Sequence, residues 1–174
     1  MKKVLLIAAL VLALGASVAV AGPAEFSKGN FFLTPQVGFA SWGGGVVPFG
    51  VNAEYAISDN VGLGGSVMYQ GWSETYGSVS LISFAFQANY HFIKLDASKF
   101  DLYAGAELGY GLYNITYDSG FSSGISGSSG FILAPVVGGR YFLSPTIALS
   151  LRLTGSLVLR PGFGAVAGVS FKLS

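Results

Sequence analysis

The segment TIALSLRLTGSLV, Thr146 to Val158, decides the fold. Ile147, Leu149, Leu151, Leu153 and Leu157 share one face, interrupted only by Gly155. Thr146, Ala148, Ser150, Arg152, Thr154 and Ser156 share the other. A period of two belongs to a strand, because successive side chains point to opposite faces. Leu81 to Phe92 repeats the pattern. Ile82, Phe84, Phe86, Ala88, Tyr90 and Phe92 alternate with Ser83, Ala85, Gln87, Asn89 and His91.

Extending this phase in both directions gives eight candidate strands, near 30–41, 46–57, 60–72, 79–92, 101–117, 130–143, 146–158 and 163–173. Most are longer than the roughly 5–6 residues usual in globular proteins. They suit a tilted strand that crosses a bilayer, which needs about 9–11. Turn chemistry separates them at Gly43–Gly45, Ser58–Asn60, Ser144-Pro145 and Arg160–Gly162. Ser119 to Gly130 is a Gly/Ser-rich loop, and no domain boundary is visible. Pro35, Pro48 and Pro135 fall within assigned strands, where proline removes a ladder donor. Bulges or shifted boundaries are expected there. In 101–117, Tyr103 and Tyr113 fall inward and Asn114 outward, a mixture that admits a phase change.

Composition agrees with an apolar outer surface. Hydrophobic residues are 52% of the 174, charged residues only 10%, and 26 are glycine. Mean hydropathy is +0.61. A soluble domain carries roughly 25% charge. Such apolar and aromatic content excludes disorder, and the glycines lack the three-residue period of collagen.

Met1 to Ala21 reads as a secretory leader, with Lys2 and Lys3, then apolar Val4–Leu14, then Ala19-Val20-Ala21 as a small-x-small cleavage pattern. The competing reading is a permanent anchor helix. Residues 22–174 then form one domain. Losing two lysines turns 9 basic against 8 acidic residues into 7 against 8. That balance gives no basic patch for nucleic acid. With no cysteine, disulfide and thiol chemistry are excluded.

The charges separate two kinds of barrel. Glu54, Glu107, Arg140, Arg152 and Lys172 lie within strands, with Arg160 at a strand end, each on the face opposite the more apolar set. Glu25, Lys28, Asp59, Glu74, Lys94, Asp96, Lys99, Asp101 and Asp118 are assigned to the N-terminal lead or connections. A soluble ligand barrel buries its apolar face and shows its polar one. Here the bulky apolar face is the one wide enough to meet lipid, and the other is small and polar (Gly62, Gly64, Ser66, Gln70; Gly105, Glu107, Gly109, Gly111; Gly164, Gly168, Ser170). A basic side chain facing lipid at the midplane costs about 2–4 kcal/mol. The expected fold is therefore all-β: an eight-stranded antiparallel up-and-down transmembrane β-barrel.

Eight strands put both chain ends on one side, the periplasmic side in bacterial barrels. Ser58–Asn60, Ile93–Phe100 and Ser144-Pro145 would connect strands there, and longer loops would lie outside. Tyr55, Tyr90, Phe92, Tyr141 and Phe171, with Phe31, cluster toward the periplasmic rim. Tyr69, Trp72 and Phe163, with Trp42, Tyr76, Tyr117 and Phe131, cluster toward the outer one. Amphipathic rings favour both interfaces, which predicts aromatic girdles.

The whole of 22–174 resembles the small eight-stranded outer-membrane barrel family, the OmpA-like and opacity-protein-like group. The likeness rests on the leader, the eight alternating segments and phrases such as Asn89-Tyr90-His91-Phe92 and Leu102-Tyr103-Ala104-Gly105-Ala106-Glu107-Leu108-Gly109-Tyr110. It implies Sec export, cleavage after Ala21, insertion by the barrel assembly machinery, and a bacterial outer membrane of lipid and lipopolysaccharide around the barrel. Family members often end in an aromatic residue; here Phe171 stands three residues before the end. No periplasmic peptidoglycan-binding domain is expected after the last strand.

Inside, Glu107, Arg140 and Arg152 fall on adjacent strands, within about two residues of one another in depth, or about 7–10 Å at the usual rise. Glu54 and His91 enter from the far wall, with Gln87 and Asn89 beside them. Buried charge without a partner is costly, so these seven are expected to form a polar network, either a structural plug or an ion gate. Catalysis is not expected, and neither a metal nor a cofactor. His91 is the sole histidine and lies too near the periplasmic end for the histidine of an outer-membrane lipid A acylase or deacylase. No nucleophile elbow or phosphate loop occurs. Trp42, Tyr76 and Phe121 on the outer loops are candidate contacts for an unknown extracellular ligand.

Overall fold

The computed structural model describes residues 26–41, 47–75, 77–92, 99–117, 126–157 and 162–174. The leader, Trp42, Gly43–Gly45, Tyr76, Phe121 and Arg160 lie outside them. Eight antiparallel strands follow in chain order: β1 (Phe31–Ala40), β2 (Phe49–Ala56), β3 (Val61–Glu74), β4 (Gly77–His91), β5 (Phe100–Tyr117), β6 (Ser126–Ser144), β7 (Ile147–Ser156) and β8 (Gly162–Lys172). Each pairs with its neighbours in sequence, and β8 pairs with β1 to close the barrel. Closure gives every strand a neighbour on both sides, while toward the loop end β3 beyond Tyr69 and β6 before Leu133 are laddered on one side in the pairs described.

Side-chain direction follows the two-residue period. On β7, Leu149, Leu151 and Leu153 are exposed on the outside, while Ala148, Arg152 and Ser156 are buried within. Phe86, at 83%, is the most exposed of the large apolar residues on the wall. Val67, Phe84, Leu108, Leu133 and Val137 extend this apolar surface from β3 to β6. In water such a surface would be an aggregation liability; in lipid it is the expected coat.

The wall is uneven in height. β5 has 18 residues and β6 has 19, against 10 for β1 and 8 for β2. The stretch from Ser126, expected to be loop, is already strand, and β3 and β4 reach Glu74 and Gly77. Long ladders there bond their own backbone, so Gly and Ser are carried into the sheet despite weak strand preference.

The prolines act through boundaries. Pro48 precedes β2, and its carbonyl accepts from the Gly38 amide at 2.9 Å. Pro35 and Pro135 stay in register, opposite Val51 and Ala106, with no bulge between them and those partners. The one register shift between β6 and β7 lies instead between Phe142 and Ser144. The Ser144 hydroxyl accepts from the Ile147 amide at 3.1 Å and shapes that turn. β5 keeps one phase throughout: Asp101, Tyr103, Gly111 and Tyr113 are all buried.

Candidate functional site

The lumen has two tiers. At the end where β1 starts and β8 finishes, the terminal end, buried polar groups cross it. Glu54 on β2 and His91 on β4 are both 0% exposed, and Arg140 on β6 is 2%. The His91 Nδ1 lies 2.6 Å from Asp101 Oδ1 and its Nε2 lies 3.3 Å from Glu54 Oε1. Asn89 donates to the same Glu54 oxygen at 2.6 Å. Arg140 donates from Nη1 to Asp101 Oδ2 at 3.1 Å and from Nη2 to Glu54 Oε2. Its guanidinium also lies over the Phe32 ring, 4.4 Å from the centroid. With the imidazole protonated, two cations balance two carboxylates, which is what buried charge requires.

Gln87 and Asn52 exchange amide hydrogen bonds across the lumen at 2.7 and 3.3 Å. Further toward the loop end, Arg152 on β7 donates to Glu107 on β5, and the Thr154 hydroxyl donates to the same carboxylate at 3.2 Å. Glycines make room for these side chains. A Cβ on Gly62 would meet the Glu54 carboxylate, with Cδ at 2.8 Å.

All seven sequence-predicted network residues point into the lumen, in a different grouping. Arg140 does not join Glu107 and Arg152. It turns to Asp101, opposite it in register on β5, and to Glu54 on the far wall. Asp101, assigned from sequence to a connection, is a buried strand residue. Its alternation with Tyr103, Gly105 and Glu107 was the available signal.

The loop-end tier is less polar than expected. Val79, Leu81 and Tyr113 are buried together, with Trp72 and Ile115 packed against them. Above the Glu107–Arg152 pair is a cavity of about 90 Å³ lined largely by apolar groups, among them Leu81, Tyr113, Ile132 and Val166. Trp72 therefore does not belong to an outer girdle. It shares the parity of Ser66 and Gln70, turns inward and meets Tyr113 edge-on at 5.6 Å. Tyr55, Tyr90, Phe92, Tyr141 and Phe163 are exposed near the strand ends, Tyr69 is exposed inside β3 at the level where β2 begins, and Phe171 is half-buried. Several are paired by rings, such as Tyr90–Phe92 and Phe39–Phe163.

Sequence reasoning also missed the terminal-end closure. Phe26, just before β1, is buried and stacks on the His91 ring at 3.5 Å between centroids. Phe32, Ala56, Phe142 and Ala148 complete its pocket. Among the described residues no group of three or more His, Asp or Glu is arranged to hold a metal ion.

A closed, antiparallel, eight-stranded up-and-down barrel with an apolar exterior and charged interior is the transmembrane-barrel fold. The chain has the fold of the small eight-stranded outer-membrane barrels. It is similar to the N-terminal β-barrel domain of Pseudomonas aeruginosa OprF, with TM-score 0.57 and 18% identity over 84% of this chain and 98% of that one. Neisserial surface protein A gives TM-score 0.59 and 18% identity over 83% of this chain and 95% of that one. The outer membrane protein OprG of P. aeruginosa gives 0.60 and 11%, over 86% and 98%. No family model matches the sequence, and no curated protein matches it.

Proposed function

We propose that the protein resides in a bacterial outer membrane as a closed barrel, with a part in membrane integrity or surface interaction rather than catalysis. One observation carries this reading: charged groups span the lumen at the terminal end while the outer wall is apolar. Export through the Sec route, removal of Met1–Ala21 and insertion by the barrel assembly machinery belong to the same proposal. Its surroundings are then outer-membrane lipid and lipopolysaccharide. Membrane fractionation with a heat-modifiability gel tests it. The protein is expected in the outer-membrane fraction and to migrate differently before and after boiling. Recovery as a soluble periplasmic protein would overturn it.

The Glu107–Arg152 ion pair, which lines the loop-end cavity, supports a second reading, a narrow gated path for small ions or solutes. Glu107→Gln and Arg140→Gln in planar bilayers separate the two. A plug predicts no stable conductance in the wild type; a gate predicts conductance that both substitutions change.

A further inference from the structure

We infer that the terminal end of the lumen is a built receptor for one aromatic ring, and that Phe26 of the chain's own lead is its removable occupant. The pocket has the chemistry of such a receptor. Its floor is the flat face of His91, parallel to the Phe26 ring within 9°. One side is the Phe32 ring, also within 9° of parallel at 5.9 Å. Phe142 closes behind Phe32 edge-on at 6.2 Å, and Ala56 and Ala148, both 0% exposed, leave space that larger residues would fill. Parallel offset rings at such separations attract beyond their area burial.

The occupant is held differently from the wall around it. Residues 27–30 form a turn, with the Asn30 amide donating to the Ser27 carbonyl at 3.0 Å and Gly29 at φ +93°. That geometry is a type II turn, which needs glycine at its third position. The turn is tied to the barrel by the Gly29 amide on the Ala56 carbonyl at 2.9 Å and the Lys28 amide on Asp59 Oδ1 at 3.0 Å. Phe26 itself precedes the ladder. Its attachment is ring packing, whereas the turn behind it is fixed by hydrogen bonds to Ala56, Asp59 and Ser174, so the Phe26 ring leaves at lower free energy than the turn or the strands it covers. When the ring leaves, His91 and the carboxylates beside it meet water from this end. Phe26 is thus a stopper that sets the hydration of the Glu54–His91–Asp101–Arg140 layer.

Because the chain has no cysteine, a single introduced thiol reports on the pocket. Ala148→Cys in folded barrels in detergent, treated with a small charged methanethiosulfonate, is expected to label at least tenfold more slowly than Leu173→Cys on the exposed rim. Adding Phe26→Ala is expected to raise the Ala148→Cys rate about tenfold or more, and Phe26→Trp to leave it slow. Ala56→Cys on the opposite wall serves as a second reporter should Ala148→Cys fail to fold. Heat-modifiability verifies folding of each variant. Equal rates with Phe26 and with Ala at 26, in folded barrels, would overturn the stopper, and so would rapid labelling with Phe26 in place. The readout is thiol access in detergent, so it stands apart from where the barrel resides and from what it conducts.

Discussion

Arg140 and Glu54 meet across the lumen from strands that lie opposite each other in the closed barrel, 86 residues apart in sequence. Arg140 also holds Asp101, so one guanidinium ties three strands together. Removing one partner of a buried pair leaves the other uncompensated, at about 3–5 kcal/mol. Arg140→Met is therefore expected to lower unfolding free energy by roughly that amount. Urea titration of the folded barrel in micelles measures it. An unchanged midpoint would show that water already reaches the layer.

The two tiers are built on separate ion pairs among the described residues, Arg140 with Glu54 and Asp101, and Arg152 with Glu107. Glu107→Gln combined with Arg152→Gln should show a coupling energy of about 0.5–3 kcal/mol, as residues in contact do. Glu107→Gln combined with Glu54→Gln should add to within about 0.5 kcal/mol. Strong coupling in the second cycle would mean that the tiers act as one network.

Two glycines distinguish crowded from open positions. A Cβ on Gly138 would enter the Tyr103 ring, whereas on Gly155 it would meet nothing nearer than Pro135 Cγ at 3.6 Å. Gly138→Ala is expected to destabilise by about 1–3 kcal/mol, the usual cost of overpacking. Gly155→Ala should be neutral or stabilising by up to about 1 kcal/mol, because it reduces unfolded-chain entropy. Paired urea titrations decide this, and equal losses at both sites would contradict the packing described.

Position along the wall sets the tolerance for charge. Leu151 and Leu173 are both exposed on the outside, but only Leu151 lies in mid-strand. Leu151→Arg should cost about 2–4 kcal/mol in a lipid bilayer and Leu173→Arg about 0–1. Refolding yields into vesicles follow the same order. Equal tolerance would place water rather than lipid against Leu151.

Alternation alone carried most of the fold, because Leu149, Leu151 and Leu153 on one face and Ser150, Arg152 and Thr154 on the other identify a strand and say which face meets lipid. Orientation of the interior charges followed from the same parity. Their partners did not. Strand tilt shifts depth from wall to wall, so Arg140 faces Glu54 rather than Glu107, and no count along the chain reveals that. Asp101 and Trp72 were misplaced by proximity to a connection and a rim, where parity was the better guide. Phe26 carries no periodic signal at all, since it precedes the first strand and is placed by a turn.

The charged layer draws on β2, β4, β5 and β6, so five consecutive strands must be curled into an arc before its ions balance. A flat sheet inserted strand by strand would offer Glu54 and Arg140 to lipid without each other, and lipid supplies no substitute. Assembly and neutralisation are then a single event. Curling of β2 to β6 is then expected to run together with burial of the charges, and the finished barrel exposes them to lipid only by opening again.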